Sequence, residues 1–179
     1  MKYYVYDHLN GPENVRLNQV QSTIMLHALA VKYVDTIMTF DRQVGVTYGI
    51  CFAAIRYALT NPDSTVNILG HMPSDCQGII SPRIQLILKH NGVSMDKSYK
   101  MNFNFDNGSQ IRIYPSHKQQ LLWGHADLTF CDNFYSYPEV FQIDITQRIH
   151  GRKVCATSCD RYGTTFKYVK NHSLLTDSR

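Results

Sequence analysis

Apolar positions along the chain follow two rhythms. Leu17, Val20, Ile24, Met25, Ala28 and Leu29 recur at steps of three and four, which predicts an amphipathic helix beginning near Arg16. Val31 to Phe40 predicts a strand, with Val34, Ile37, Met38 and Phe40 apolar. A turn with glycine and a second helix over about 48–60 follow, and Asn61-Pro62-Asp63-Ser64 ends that helix. Val66 to Gly70 predicts a short buried parallel strand. Pro73-Ser74-Asp75 can cap a third helix, with Ile79, Ile80, Ile84, Ile87 and Leu88 on one face and Asn91-Gly92 as its stop. Pro82 falls in or near the first turns of that helix.

The texture then changes. Tyr99 to Phe105 and Ile111 to Tyr114 alternate, and Asp106-Asn107-Gly108-Ser109 lies between them. Asn-Gly between two alternating runs predicts a hairpin with both turn residues at positive φ. The aromatic and basic residues Tyr99, Lys100, Phe103, Phe105, Arg112 and Tyr114 suit either a stacking platform for single strands or one buried and one solvated face. Leu128 to Cys131 predicts a third buried strand ending in Asp132-Asn133. A helix from Tyr137-Pro138-Glu139 to about Ile149 and a fourth strand over Lys153 to Ser158 complete the pattern. Helices alternating with strands imply a three-layer α/β domain with a mainly parallel sheet and an inserted β-hairpin. Ligands bind such sheets at the carboxyl ends of the strands. There the loops 41–47, 70–75, 132–137 and 156–160 are expected to converge. Residues 1–14 read as an N-terminal arm, 15–171 as the domain and 172–179 as a frayed polar tail.

Composition changes this picture little. The 179 residues are 44% apolar and 18% charged, enough for one cored domain and too apolar for disorder. A net charge of +4 is compatible with a nucleic-acid or nucleotide partner, and equally with an ordinary soluble domain. Five scattered cysteines read as reduced and buried rather than as a disulfide framework. Met1 to Asp7 shows no apolar signal core and no cleavage pattern, and no window approaches the roughly twenty apolar residues of a membrane span. A cytoplasmic setting is expected.

The chemistry centres on Asp41 to Tyr48. Strand, glycine turn and helix is the layout of a phosphate-binding loop, in which backbone N–H groups and a helix N-terminus face the anion. A working loop needs Lys after the last Gly and then Ser or Thr for magnesium. Thr47 is present, but Val46 holds the lysine slot. A nucleotidase also needs a strand ending in Asp, commonly followed by Glu. Phe130-Cys131-Asp132-Asn133 meets the first requirement and not the second.

Taken in order, these segments resemble the ATPase core of the large terminase subunit, the DNA-packaging motor of tailed phages. Val15 to Gln21 resembles the adenine-reading segment, with Gln21 its glutamine. Arg42-Gln43-Val44-Gly45-Val46-Thr47 resembles the terminase Walker A loop. Asn107-Gly108-Ser109 resembles the family's hairpin, Phe130 to Asn133 its Walker B strand, and Ala156-Thr157-Ser158 its coupling motif. The resemblance implies ATP and magnesium as cofactors. It assigns nucleotide contacts to Gln21, Arg42, Gln43, Gly45 and Thr47, and the metal to Thr47 and Asp132. Three charges of the family are missing together: Val46 replaces lysine, Asn133 replaces glutamate, and Trp123-Gly124 stands where Arg-Gly is usual. The family's nuclease domain has no counterpart in these residues.

Losing such a lysine or glutamate typically costs about 10²–10⁴ in rate. Arg42 is a candidate partial replacement for the lysine. The expectation is a degenerate P-loop domain, a pseudo-ATPase. It would act by binding a phage or host protein, DNA or RNA, or a nucleotide in an infected cell. The alternatives are a packaging ATPase completed by another chain, and a nucleic-acid-binding module without nucleotide.

Overall fold

The computed structural model describes residues 17–30, 35–40, 43–93, 96–99, 101–118, 125–148, 151–158 and 173–176. Helix α1 spans Gln19–Leu29, strand β1 Thr36–Phe40, helix α2 Val46–Thr60 and strand β2 Thr65–Gly70. A short α3 (Pro73–Asp75) and a π-helical turn (Cys76–Ile80) run directly into α4 (Ser81–His90). Strands β3 (Asp96–Tyr99), β4 (Asn102–Asn104), β5 (Gln110–Pro115) and β6 (Leu128–Asp132) follow. A 3-10 turn (Phe134–Ser136), α5 (Glu139–Arg148), β7 (Arg152–Ser158) and β8 (Ser173–Thr176) complete the described residues.

All eight strands join one sheet in the order β3-β4-β5-β2-β6-β7-β1-β8. The pairings from β5 across to β8 are parallel, and those of β3 with β4 and β4 with β5 are antiparallel. Alternation along each strand assigns its two faces. Met38, Phe40, Val66, Ile68, Phe130, Val154 and Ala156 pack with α1, α2 and α4. Ile37, Leu69, Cys131 and Cys155 pack on the other face with Phe134, Tyr137 and Ile145. This is the expected three-layer arrangement. No helix among the described residues is long and apolar enough to cross a membrane.

Two buried cations bind the lower edge together. Lys153 Nζ pairs with Asp35 Oδ2 at 2.9 Å, and Asp35 Oδ1 accepts the Lys153 N–H at 2.9 Å. Arg152 Nη1 donates to the carbonyls of Ala28 and Ala30 at 3.0 and 2.6 Å, which caps the end of α1.

Four local expectations change. Residues 173–176, expected within a frayed tail, form β8 against β1, because Leu174 and Leu175 extend the sheet edge in register with Ile37 and Met38. The run Tyr99–Phe105 divides between β3 and β4. Among the turn residues 106–109 only Gly108 has positive φ, 80°. Asn107 instead accepts the Ser109 N–H and hydroxyl at 3.1 and 2.6 Å and donates to the Ala58 carbonyl at 2.9 Å, tying the hairpin to the end of α2. Ile79 is 40% exposed. An i→i+5 turn rotates the chain less per residue than an α-helix, so Ile79 falls outside the stripe of Cys76, Ile80 and Ile84. Pro82, which has no N–H to give the helix, follows that turn. The hairpin's Phe103 and Phe105 are buried while Asn102 and Asn104 are exposed, so those phenylalanines pack the core rather than offering a stacking platform.

Candidate functional site

The site is built where β1 runs into α2. Gln43 and Gly45 lie in the left-handed region, at φ 62° and 85°, with Val44 between them. Such alternation of handedness points successive N–H groups into one concavity. Gly45 has no Cβ penalty there, and a Cβ at this position would lie 2.6 Å from Gln21 Nε2. No side chain caps α2 at Gly45, and no hydrogen bond among the described residues takes the N–H of Gly45, Val46 or Thr47. The positive end of a 15-residue helix is thus left facing the loop.

Gln21 and Asn18 brace this loop from α1. Asn18 Oδ1 accepts the Gln21 N–H at 2.8 Å, and Gln21 Oε1 accepts the Asn18 N–H at 3.1 Å, a reciprocal helix cap. Asn18 Nδ2 donates to the Val44 carbonyl at 2.9 Å. Gln21 is buried, so its side chain is part of the loop's wall. Close approach of α1 to α2 at Gly49 makes this contact, since a Cβ there would stand 3.1 Å from the Gln21 Cα.

Thr47 and Asp132 meet. The Thr47 hydroxyl donates to Asp132 Oδ2 at 2.8 Å across 85 residues of sequence. Asp132 is 5% exposed, and its second oxygen, Oδ1, is buried without a hydrogen-bond partner. Burial pushes this carboxyl up to about 6, while the Thr47 hydroxyl, the charge of Arg83 and the Asn133 N–H hold it down and Asp75 adds to the rise. At neutral pH the group is largely ionised. A hydroxyl and a carboxylate oxygen in want of a partner are the hard oxygen donors that magnesium takes, so these residues fit that ion.

The other expected positions divide. Val46 is buried in the core cluster that α2 shares with the sheet, so an aliphatic side chain fills the lysine slot. Asn133 has φ 54° and begins the 3-10 turn after β6. Its carboxamide can accept a hydrogen bond but is not basic enough to take a proton from water. Ala156 stands beside both Asp132 and Met38 in register, and Thr157 and Ser158 stand opposite Thr39 and Phe40. Residues 156–158 therefore lie between the two strands that carry the site. Arg42 and Trp123 lie outside the described residues.

Sequence reasoning missed two side chains at this end of the sheet, Tyr137 and Arg83; His71, also here, it reads as a polar loop residue at a strand end. The Tyr137 hydroxyl lies 2.7 and 2.8 Å from the carbonyl oxygens of Leu69 and Asp132, joining the ends of β2 and β6. His71 stacks on Tyr137 with ring centroids 6.1 Å apart. The Arg83 guanidinium lies over the Tyr48 ring, 5.7 Å from its centroid. No periodicity announces any of these contacts; apart from that of Tyr137 with Asp132, each joins segments far apart in sequence.

Comparison with known proteins places the fold. No protein-family model matches the chain, and no curated protein matches it. Solved structures do. The large terminase of a thermophilic bacteriophage is similar, with a TM-score of 0.64 and 14% identity over 82% of this chain and 39% of that one. The same terminase in complex with ADP gives 0.59 and 17%, over 80% and 39%. The large terminase ATPase domain of Thermus phage P74-26 gives 0.56 and 14%, over 80% and 65%. The fold is that of a large-terminase ATPase core, and the chain spans about four-tenths of the length of the first of these terminases.

Proposed function

We propose that this chain is a terminase-like P-loop domain that has kept a phosphate and cation site, has lost efficient hydrolysis, and acts by binding. One observation carries the reading: Thr47 and Asp132 are hydrogen-bonded at 2.8 Å, with a second, unpartnered Asp132 oxygen beside an uncapped helix N-terminus. A structural remnant would be expected to have satisfied that buried oxygen, because leaving it unpaired costs on the order of 1–3 kcal/mol. Thr47 and Asp132 would hold magnesium, which would neutralise phosphate charge. The uncapped N–H groups of the loop take the phosphate itself, and Gln21 lies at the loop's wall in the segment that would meet adenine. Val46 and Asn133 deprive the site of a charge stabiliser and a base, which accounts for binding without turnover. The loaded domain then presents its surface to a protein or nucleic-acid partner.

Calorimetric titration of the full chain with ATP and magnesium, followed by a phosphate-release assay with and without DNA, tests this. Saturable, magnesium-dependent ATP binding with no phosphate release is expected. Sustained hydrolysis by the chain alone would refute the loss of turnover, and the absence of any nucleotide binding would refute the site.

A further inference from the structure

We propose that Arg83 supplies the phosphate-contacting cation that position 46 lacks, held in place by the ring of Tyr48. The inference rests on the reading that the loop between β1 and α2 takes a phosphorylated nucleotide, and it names the group that holds the phosphate. Tyr48 follows Thr47 in the first turn of α2, and the Arg83 guanidinium carbon lies over its ring, 5.7 Å from the centroid. Among the described residues no carboxylate pairs with Arg83, and no hydrogen bond uses its five N–H groups. Stacking on an aromatic ring uses the face of a guanidinium and leaves its in-plane donors available.

The contact sets the guanidinium beside the first turn of α2. The next residue of α2 towards its N-terminus bonds Asp132, and the field of Arg83 reaches both Asp132 and Cys51, one turn further along α2. Asp132 Oδ1, buried and unpartnered, calls for a cation at the same place. A magnesium-bound phosphate beside Arg83 would satisfy the acid through the metal and the guanidinium through its oxygens. The π-helical turn and Pro82 set the phase of α4, so that Ser81 and Ile84 are buried and Arg83 lies at the boundary facing α2. Were Arg83 there only to offset the charge of Asp132, replacing it would alter that acid and not the affinity for phosphate.

The test is calorimetric titration of the full chain with inorganic pyrophosphate, ATP and adenosine, each with magnesium. The proteins are wild type, Arg83→Gln, Arg83→Lys, Tyr48→Leu and, as a control of equal charge change, Lys89→Gln on the exposed side of α4. Arg83→Gln is expected to weaken pyrophosphate and ATP about ten- to a hundredfold. Arg83→Lys should fall between it and wild type, and adenosine affinity should not move. Pyrophosphate binding by Arg83→Gln as tight as by Lys89→Gln overturns the assignment while leaving the nucleotide reading standing. Failure of wild type to bind either phosphate ligand overturns both. Should Arg83→Gln not fold, Arg83→Lys and Tyr48→Leu decide. Weaker pyrophosphate binding with unchanged adenosine binding supports the assignment, and unchanged pyrophosphate binding overturns it.

Discussion

Replacing Asp132 by Asn should make the metal-free protein more stable at neutral pH. Asp132 is 5% exposed, and burial raises its carboxyl from 3.8 to about 6. The folded protein therefore holds this proton more tightly than the unfolded chain does. Its contribution to stability is fully present below pH 3.8 and is lost as pH rises through about 6. With about 1.36 kcal/mol for each pKa unit, the ionised carboxylate costs the native state about 3 kcal/mol above that window. Asn removes this cost but brings an amide with no evident acceptor, worth about 1–2 kcal/mol against it. A net gain of about 1–2 kcal/mol at about pH 8 remains, with equality or a small loss at about pH 4. Urea denaturation in the presence of a chelator, at steps from about pH 4 to 8, measures this difference, because groups that titrate alike in both proteins cancel. Adding magnesium at the alkaline end should then stabilise wild type and leave Asp132→Asn unmoved. A constant difference between the two proteins across the whole pH range would refute the argument that desolvation dominates at Asp132.

The remaining predictions concern the same loop. Val46→Lys together with Asn133→Glu should raise ATP affinity about tenfold or more by calorimetry; no gain would mean that the buried Val46 side chain, not its missing charge, holds the loop shape. Thr47→Val should destabilise the fold by about 1–3 kcal/mol at about pH 8, since it strips the Asp132 carboxylate of its hydroxyl partner; equal urea midpoints would contradict this. Gly45→Ala should cost about 1–2 kcal/mol or more, from φ 85° and the 2.6 Å approach to Gln21 Nε2. Gln21→Ala in the same chain should recover the steric part but not the strain, and denaturation of the double variant would show full additivity if the two side chains do not meet.

Much of this protein is written locally. The steps of three and four in residues 17–29 and the apolar runs at Val66–Gly70 and Leu128–Cys131 define their elements, because amphipathic periods depend on neighbours a turn away. Glycine at 45 between a strand and a helix, and Asp132 at the end of another strand, made the loop and its acid legible for the same reason. Tertiary structure alone decided what those residues do together. Strand order places β7 beside β1 and β6 one strand beyond, and so brings Thr47 within 2.8 Å of Asp132. It also buries Gln21 against the loop, strips Asp132 of water and seats Arg83 over Tyr48. Exposed Ile79 and the edge strand β8 escaped the sequence pattern because each depends on a partner: a widened turn beside Pro82 in one case, and the free edge of β1 in the other. Desolvation and long-range pairing are properties of the assembled layers, and no window of sequence contains them.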